Sequence, residues 1–181
     1  LLHPVEEGTN RTGDLHIHRD AHASVRGAVG RVALGENVSA NYFRALGVPL
    51  AIGRPFTTED DPDSVVVLSH SVWRQRFGRD PRIIGQRIEL GGRSRTIVGV
   101  APEGFTGLYR GIAPEFWTPF DESALVRSDD RSMLQWWVHA RLKDGVMMDE
   151  AAAQVAGVAR ALMRSYPASN AGRSFRLERL T

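Results

Sequence analysis

The chain has 181 residues, 42% hydrophobic and 24% charged, and carries a formal net charge of +2. That composition excludes a disordered or fibrous chain, and the length suits one domain or two small lobes sharing a core. The absence of cysteine excludes a disulfide scaffold, a thiolate zinc site and a cysteine nucleophile. No run approaches the ~18 apolar residues of a membrane span. The start, Leu1-Leu2-His3-Pro4 followed by two glutamates, lacks the pattern of a secretory signal. Of the 23 basic residues only Lys143 is a lysine. The arginine bias reads as GC-rich codon usage on a solvated surface.

Residues 1–31 are poorly patterned and read as loop with one edge strand at most. Val25–Val38, with Val29, Val32, Leu34 and Val38, reads as strand. Asn41–Leu46 predicts a short helix with Tyr42, Phe43 and Leu46 on one face, stopped by Gly47. Residues 47–64 are loop, broken by Pro49, Gly53, Pro55 and Pro62. Val65–Leu68 is a continuous apolar run, as in a buried strand. Ser69 then caps a helix that turns Val72, Trp73 and Phe77 inward and ends at Gly78. Gln86–Leu90 and Arg95–Val100 flank Gly91-Gly92, which predicts a hairpin because both turn positions favour positive φ.

Residues 103–114 read as loop, Phe116–Phe120 as strand, and 121–133 as a polar, mobile connection. Gln135–Leu142 reads as a strand that places Trp136 and Trp137 on opposite faces. Met148–Tyr166 predicts the longest helix, with an apolar stripe of Ala152, Val155, Ala156, Ala159, Leu162, Met163 and Tyr166. Asp149 and Glu150 suit its first turn, and Pro167 ends it. Phe175–Leu180 alternates as a final strand. The class is α+β, without an internal repeat.

His16, His18 and His22, with His3 nearby, form the one metal-ligand pattern, and Asp14 or Asp20 would add an oxygen ligand for hydrolytic chemistry. No apolar framework surrounds them in the sequence to hold such a geometry, so a solvated segment is the plainer reading. Ser69-His70 lacks a nucleophile elbow and reads as a helix cap. Glu59, Asp60, Asp61 and Asp63 lack the calcium-loop spacing and read as a solvated turn. Arg74, Arg76, Arg79, Arg82, Arg87, Arg93 and Arg95 interleave with Trp73 and Phe77 as a nucleic-acid groove would. The apolar side of that helix claims both aromatics for the core. From the residues alone there is no catalytic, cofactor or metal site to assign.

Four ordered blocks carry a resemblance. They are Val38-Ser39-Ala40-Asn41-Tyr42-Phe43-Arg44-Ala45-Leu46-Gly47-Val48 with Gly53-Arg54-Pro55-Phe56; Val67–Gly78 with Asp80-Pro81 and Ile84-Gly85; Thr96–Pro102 with Gly104-Phe105; and Arg141–Val146 with the helix ending at Tyr166-Pro167. Residues 32–181 thereby resemble the MacB-like periplasmic core domain of bacterial ABC-transporter permeases of the MacB/FtsX type. The resemblance implies two small α/β lobes with mixed sheets, one lobe inserted in the other. It also implies an inner-membrane permease whose extracytoplasmic, periplasmic domain this is, lying between the first two transmembrane segments. That domain is non-catalytic. It relays motion driven by an ABC ATPase subunit or domain and contacts substrate or a periplasmic adaptor during efflux. The expected partners include the permease's own transmembrane segments but no nucleic acid, and the isolated domain is expected as a monomer. The alternatives are a metal-dependent hydrolase using the histidine cluster and a free-standing binding module.

The chain departs from the family pattern in three places. It offers no helix before residue 40, so its first unit is expected to be truncated or diverged. Asp144 stands where the family tends to have proline, and Met147 where a serine or threonine cap is usual. Met147→Ser is therefore expected to stabilise the domain by about 0.5–2 kcal/mol. An unchanged or lower melting temperature contradicts a helix beginning at Met148.

Overall fold

Val65–Leu68 (β4) is buried at all four positions, and the fold is built outward from both of its faces. The structure, a computed structural model, describes residues 15–21, 33–108, 113–121 and 137–179, with backbone alone for 15–21 and Trp137. The other strands are β1 (Leu15–Ala21), β2 (Gly35–Val38), β3 (Ile52–Gly53), β5 (Arg87–Leu90), β6 (Arg93–Val100), β7 (Phe116–Pro119) and β8 (Trp137–Ala140). The helices are α1 (Tyr42–Leu46), α2 (His70–Phe77), α3 (Met148–Ser165) and α4 (Pro167–Asn170), with a 3₁₀ turn at Pro81–Ile83.

Among the described residues the strands form one mixed sheet in the order β3-β6-β4-β7-β2-β1-β8, with β5 also on β6. The chain is thus α+β, as its pattern indicates, with a mixed sheet, as the resemblance implies. β4 runs parallel to β6, and β2 parallel to β7; the remaining pairs are antiparallel. Because β2 and β7 are neighbours, residues 39–115 form an excursion nested between two adjacent strands.

Opposite faces of β4 feed separate cores. Val66 and Leu68 pack with Trp73 of α2, Ile83, Leu90, Ile97, Val100 and Phe116. Val65 and Val67 pack with Tyr42 and Phe43 of α1, Phe56, Val98 and Trp117. The β4–β6 register slips between Val66, opposite Ile97, and Val67, opposite Gly99. The extra residue in β6, Val98, is a bulge that reverses the phase of side chains along the strand. That slip is why Ile97 and Val100, three residues apart, share one core.

Local signals act where they stand. Ser69 accepts a hydrogen bond from the Val72 amide at 3.3 Å, and Gly78 closes α2 in the left-handed conformation. Gly91 and Gly92 both have positive φ in the β5–β6 turn. Met147 precedes α3 without a side-chain cap. Gly35 is required by contact: a Cβ there would lie 2.2 Å from the Phe116 ring.

Four expectations need correction. Residues 15–21 are no edge strand, since β1 pairs with both β2 and β8. Its amphipathic signal is weak because polar and charged residues occupy both faces. Strand β2 begins at Gly35, and residues 25–32 of the expected Val25–Val38 strand lie outside the described residues. The buried line of α3 runs through Ala151 and Ala159 with half-buried Val155, Leu162 and Tyr166, whereas Ala152 and Met163 are exposed. Residues 175–179 form no strand; Pro167 starts the short α4, and Phe175 is 56% exposed. The expected mobile connection lies outside the described residues from 122 onward, as does Trp136.

The two parallel neighbours β2 and β7 are tied through a buried carboxylate. Glu36, 4% exposed, accepts hydrogen bonds from Trp117 Nε1 at 2.8 Å and from the Tyr42 hydroxyl at 3.3 Å. Burial, followed by the charge of Glu36, raises the Tyr42 hydroxyl well above its ordinary value and keeps it a donor. Trp117→Phe keeps an aromatic ring but deletes a donor to a buried charge. It is expected to destabilise the domain by about 1–3 kcal/mol in denaturant unfolding. A change indistinguishable from zero contradicts the role assigned to this bond.

Candidate functional site

Most charged side chains singled out in the sequence close on partners within the fold. Arg54 grips Asp60 with both guanidinium nitrogens, at 2.8 and 2.6 Å, and the Thr57 amide adds a third bond at 2.8 Å. Asp61 Oδ1 accepts from the Asp63 amide, and Asp63 pairs with Arg93 and Arg95. The three aspartates of the acidic turn therefore spend oxygens on arginines and amides. Arg95 is half-buried; it donates to the Pro62 carbonyl at 2.5 Å, and burial lowers its guanidinium below the usual value. Arg82 pairs with Asp80, and Arg76 with Glu115. Trp73 is buried and donates to the Asp80 carbonyl at 2.9 Å, and Phe77 packs on the same core. The aromatic–arginine interleaving seen in the sequence does not make an open groove.

His16 and His18 lie in β1, where the backbone register sets His16 opposite His139 and His18 opposite Val38 and Trp137. His139 is half-buried, and burial lowers its imidazole below the ordinary value. His3, Asp14 and His22 lie outside the described residues. Among the described residues no group of three or more His, Asp or Glu side chains is placed to hold a metal ion. Ser69 Oγ sits 2.9 Å from Ser71 Oγ, consistent with a cap and its neighbour.

The remaining chemistry gathers along α2, from His70 at its start to Arg79 just past its end. A cavity of about 270 Å³ opens there, lined by His70, Ser71, Arg74, Glu103, Phe105 and Pro114 among others. Three basic groups converge on a single oxygen, Oε1 of Glu103. His70 Nδ1 lies at 3.9 Å, Arg74 at 3.9 Å and Arg79 at 3.7 Å. Glu103 is 66% exposed, whereas His70 is 12% exposed and packs edge-on against Trp73. Arg79 stands out in its backbone as well, since it is the non-glycine residue with positive φ among those described, at 61°.

Sequence reasoning missed this cluster because Glu103 is nearly thirty residues from the helix it faces. It also missed Glu36, whose one signal is a carboxylate two residues before a buried valine, in phase with the buried face. Arg141 is a third omission: its Nε donates to the Ala45 carbonyl at 2.9 Å and ties the segment after β8 to the end of α1.

A model of the MacB-like periplasmic core domain family matches residues 11–158. The macrolide export ATP-binding/permease protein MacB of Shigella dysenteriae is 28% identical over 128 residues, covering 68% of this chain and 19% of that protein. This chain spans 16–19% of the length of the curated relatives it matches. The fold is shared with the periplasmic region of MacB from Actinobacillus actinomycetemcomitans, at TM-score 0.61 and 18% identity, covering 89% of this chain and 71% of that one. It is shared too with the extracellular domain of the noncanonic ABC-type transporter YknZ from Gram-positive bacteria. There the TM-score is 0.65 and the identity 16%, over 93% of this chain and 84% of that one. Among the described residues no helix is long and apolar enough to cross a membrane.

The Asp60 clamp makes a pH dependence. Hydrogen bonding from Arg54 holds the Asp60 carboxyl below its ordinary 3.8, so its contribution is present above that value and is lost as pH falls through the folded-state value. Asp60→Asn should lower stability at pH 7 by about 1 kcal/mol or less, because Arg54 is half-exposed. The difference should close as the pH is taken down from 4. A difference that persists undiminished in acid contradicts the clamp as its source.

Proposed function

Because the chain belongs to the MacB-like periplasmic core domain family, we propose that it is the extracytoplasmic domain of an inner-membrane ABC-transporter permease and has no catalysis of its own. In this reading ATP is hydrolysed by a separate cytoplasmic subunit or domain. The domain carries the resulting motion outward through the permease's transmembrane segments and contacts substrate or a periplasmic adaptor during export. The isolated domain is a monomer, and the permease supplies the dimer contacts.

The observation that carries this reading is the family match across residues 11–158 on a fold shared with extracytoplasmic domains of two transporters. The packing is consistent with it. Two cores on opposite faces of one sheet make a body that moves as a unit, because interiors are close-packed and transmit displacement with little compression.

The test uses the full-length transporter in its own cell. Replacing this domain by a flexible Gly-Ser linker should abolish export while the protein still inserts and its ATPase still binds nucleotide. A Fab raised against the folded domain and added to spheroplasts should inhibit export of the unaltered protein. Export that survives both treatments contradicts a role for the domain in transport.

A further inference from the structure

The basic cluster on α2 is poorly satisfied by the one carboxylate it faces. All three contacts run to the same oxygen of Glu103 and all exceed 3.5 Å, so none is a direct hydrogen bond. Guanidinium groups present five donors each and prefer a bidentate match to both carboxylate oxygens. Arg54 and Asp60 make that match elsewhere in this chain. Arg74 and Arg79 are each about half-exposed, at 52% and 51%, with two permanent charges facing one. The neighbouring Arg76–Glu115 pair is balanced and leaves that excess unchanged.

Arg79 also occupies the left-handed region, which L side chains disfavour and glycine accepts. Stability alone would favour glycine there, as at Gly78 just before it. What the arginine contributes instead is a second guanidinium on Glu103, itself a lining residue of the cavity. Beside the cations the lining turns apolar at Phe105, Ala113 and Pro114. Charge and shape thus call for a carboxylate with an apolar neighbour.

We propose that Arg74, Arg79 and His70 form a docking site for an acidic, partly apolar segment of a partner protein, and that Glu103 stands in for the partner's carboxylate when the domain is alone. The committed occupant is a peptide carboxylate, since a carboxylate already sits at the cations and the adjoining floor suits an apolar side chain. This gives a chemistry to the partner contact of the proposed function and rests on that reading for the partner's being outside the membrane. Failure of the site would leave the export experiment above untouched, so the two can be told apart.

The probe is a fluorescein-labelled twelve-residue peptide of alternating glutamate and leucine, with its glutamine–leucine counterpart, titrated against the 181-residue chain at low salt by fluorescence anisotropy. The acidic peptide should bind saturably and the glutamine peptide should not. Glu103→Gln removes the internal competitor and should tighten binding, whereas Arg74→Gln and Arg79→Gly should each weaken it, all by roughly two- to fivefold. Arg79→Gly should at the same time raise the melting temperature by relieving the backbone, which a purely structural ion pair would not do. Arg93→Gln, an exposed arginine paired elsewhere with Asp63, should leave affinity unchanged.

Three results overturn the proposal. One is binding that Glu103→Gln weakens or leaves unchanged. Another is equal loss with Arg93→Gln, which would mark nonspecific attraction. The third is capture of the chain by phosphatidylglycerol vesicles that depends on Arg74 and Arg79 while the peptide does not bind, which would assign the cations to a membrane surface.

Discussion

The hydrogen bond from Trp117 Nε1 to Glu36 joins residues that lie far apart in the chain, and much of the fold hangs on it. A buried carboxylate is costly unless donors surround it. Here the donors come from different elements: the indole from β7 and the hydroxyl of Tyr42 from α1. The loop after β6 closes over the same group, so tightly that a Cβ at Gly107 would sit 2.9 Å from the carboxylate. Slipping β2 by one residue against β7 would turn Glu36 to the other face of the sheet, toward Phe116 and its apolar neighbours. The carboxylate therefore selects one register for the strands that bracket the nested residues 39–115.

From that register the two-faced body follows. Trp117 points to the α1 side, where it packs edge-on against Phe43 at 5.7 Å between centroids. Phe116 points to the α2 side and fills the space that Gly35 leaves open. The bulge at Val98 lets β6 serve both cores in spite of its odd phase. The result is a rigid platform whose polar chemistry is pushed to the ends of its elements. In the Glu103 cluster beside α2, charge is left imperfectly matched on an exposed surface. The proposed function, passing motion between a membrane and an external partner, would call for both properties: a body that does not deform and a contact surface that is unsatisfied until engaged.

What is legible in the sequence is local. Val65–Leu68, the Ser69 cap, the Gly78 stop and the Gly91-Gly92 turn each act within a few residues, and each stands where its pattern puts it. The ordered blocks of the family resemblance are legible for the same reason, since they are made of such fold determinants. Long-range pairing is not. β1 alternates Leu15, Ile17 and Ala21 against His16, His18 and Asp20, but Arg19 interrupts the apolar side and nothing in these residues announces a place between β2 and β8. The phase of α3 differs by one position at Ala151 from the one its pattern suggests, because alanine on both sides of the stripe blurs the hydrophobic signal. The apparent alternation at Phe175 has no neighbouring strand among the described residues to make it a ladder. The candidate docking site is invisible in the sequence because His70, Arg74 and Arg79 come from α2 and its end, and Glu103 from a distant loop.

The most direct test of the account is topological. The native protein would be followed with an antibody against this domain through membrane fractionation, then exposed to protease from the outer side of intact inner membrane. The account predicts a membrane-bound species longer than 181 residues, cut within this domain from outside. A soluble species of that length, or a membrane-bound one protected from external protease, would contradict an extracytoplasmic permease domain while leaving the fold assignment in place.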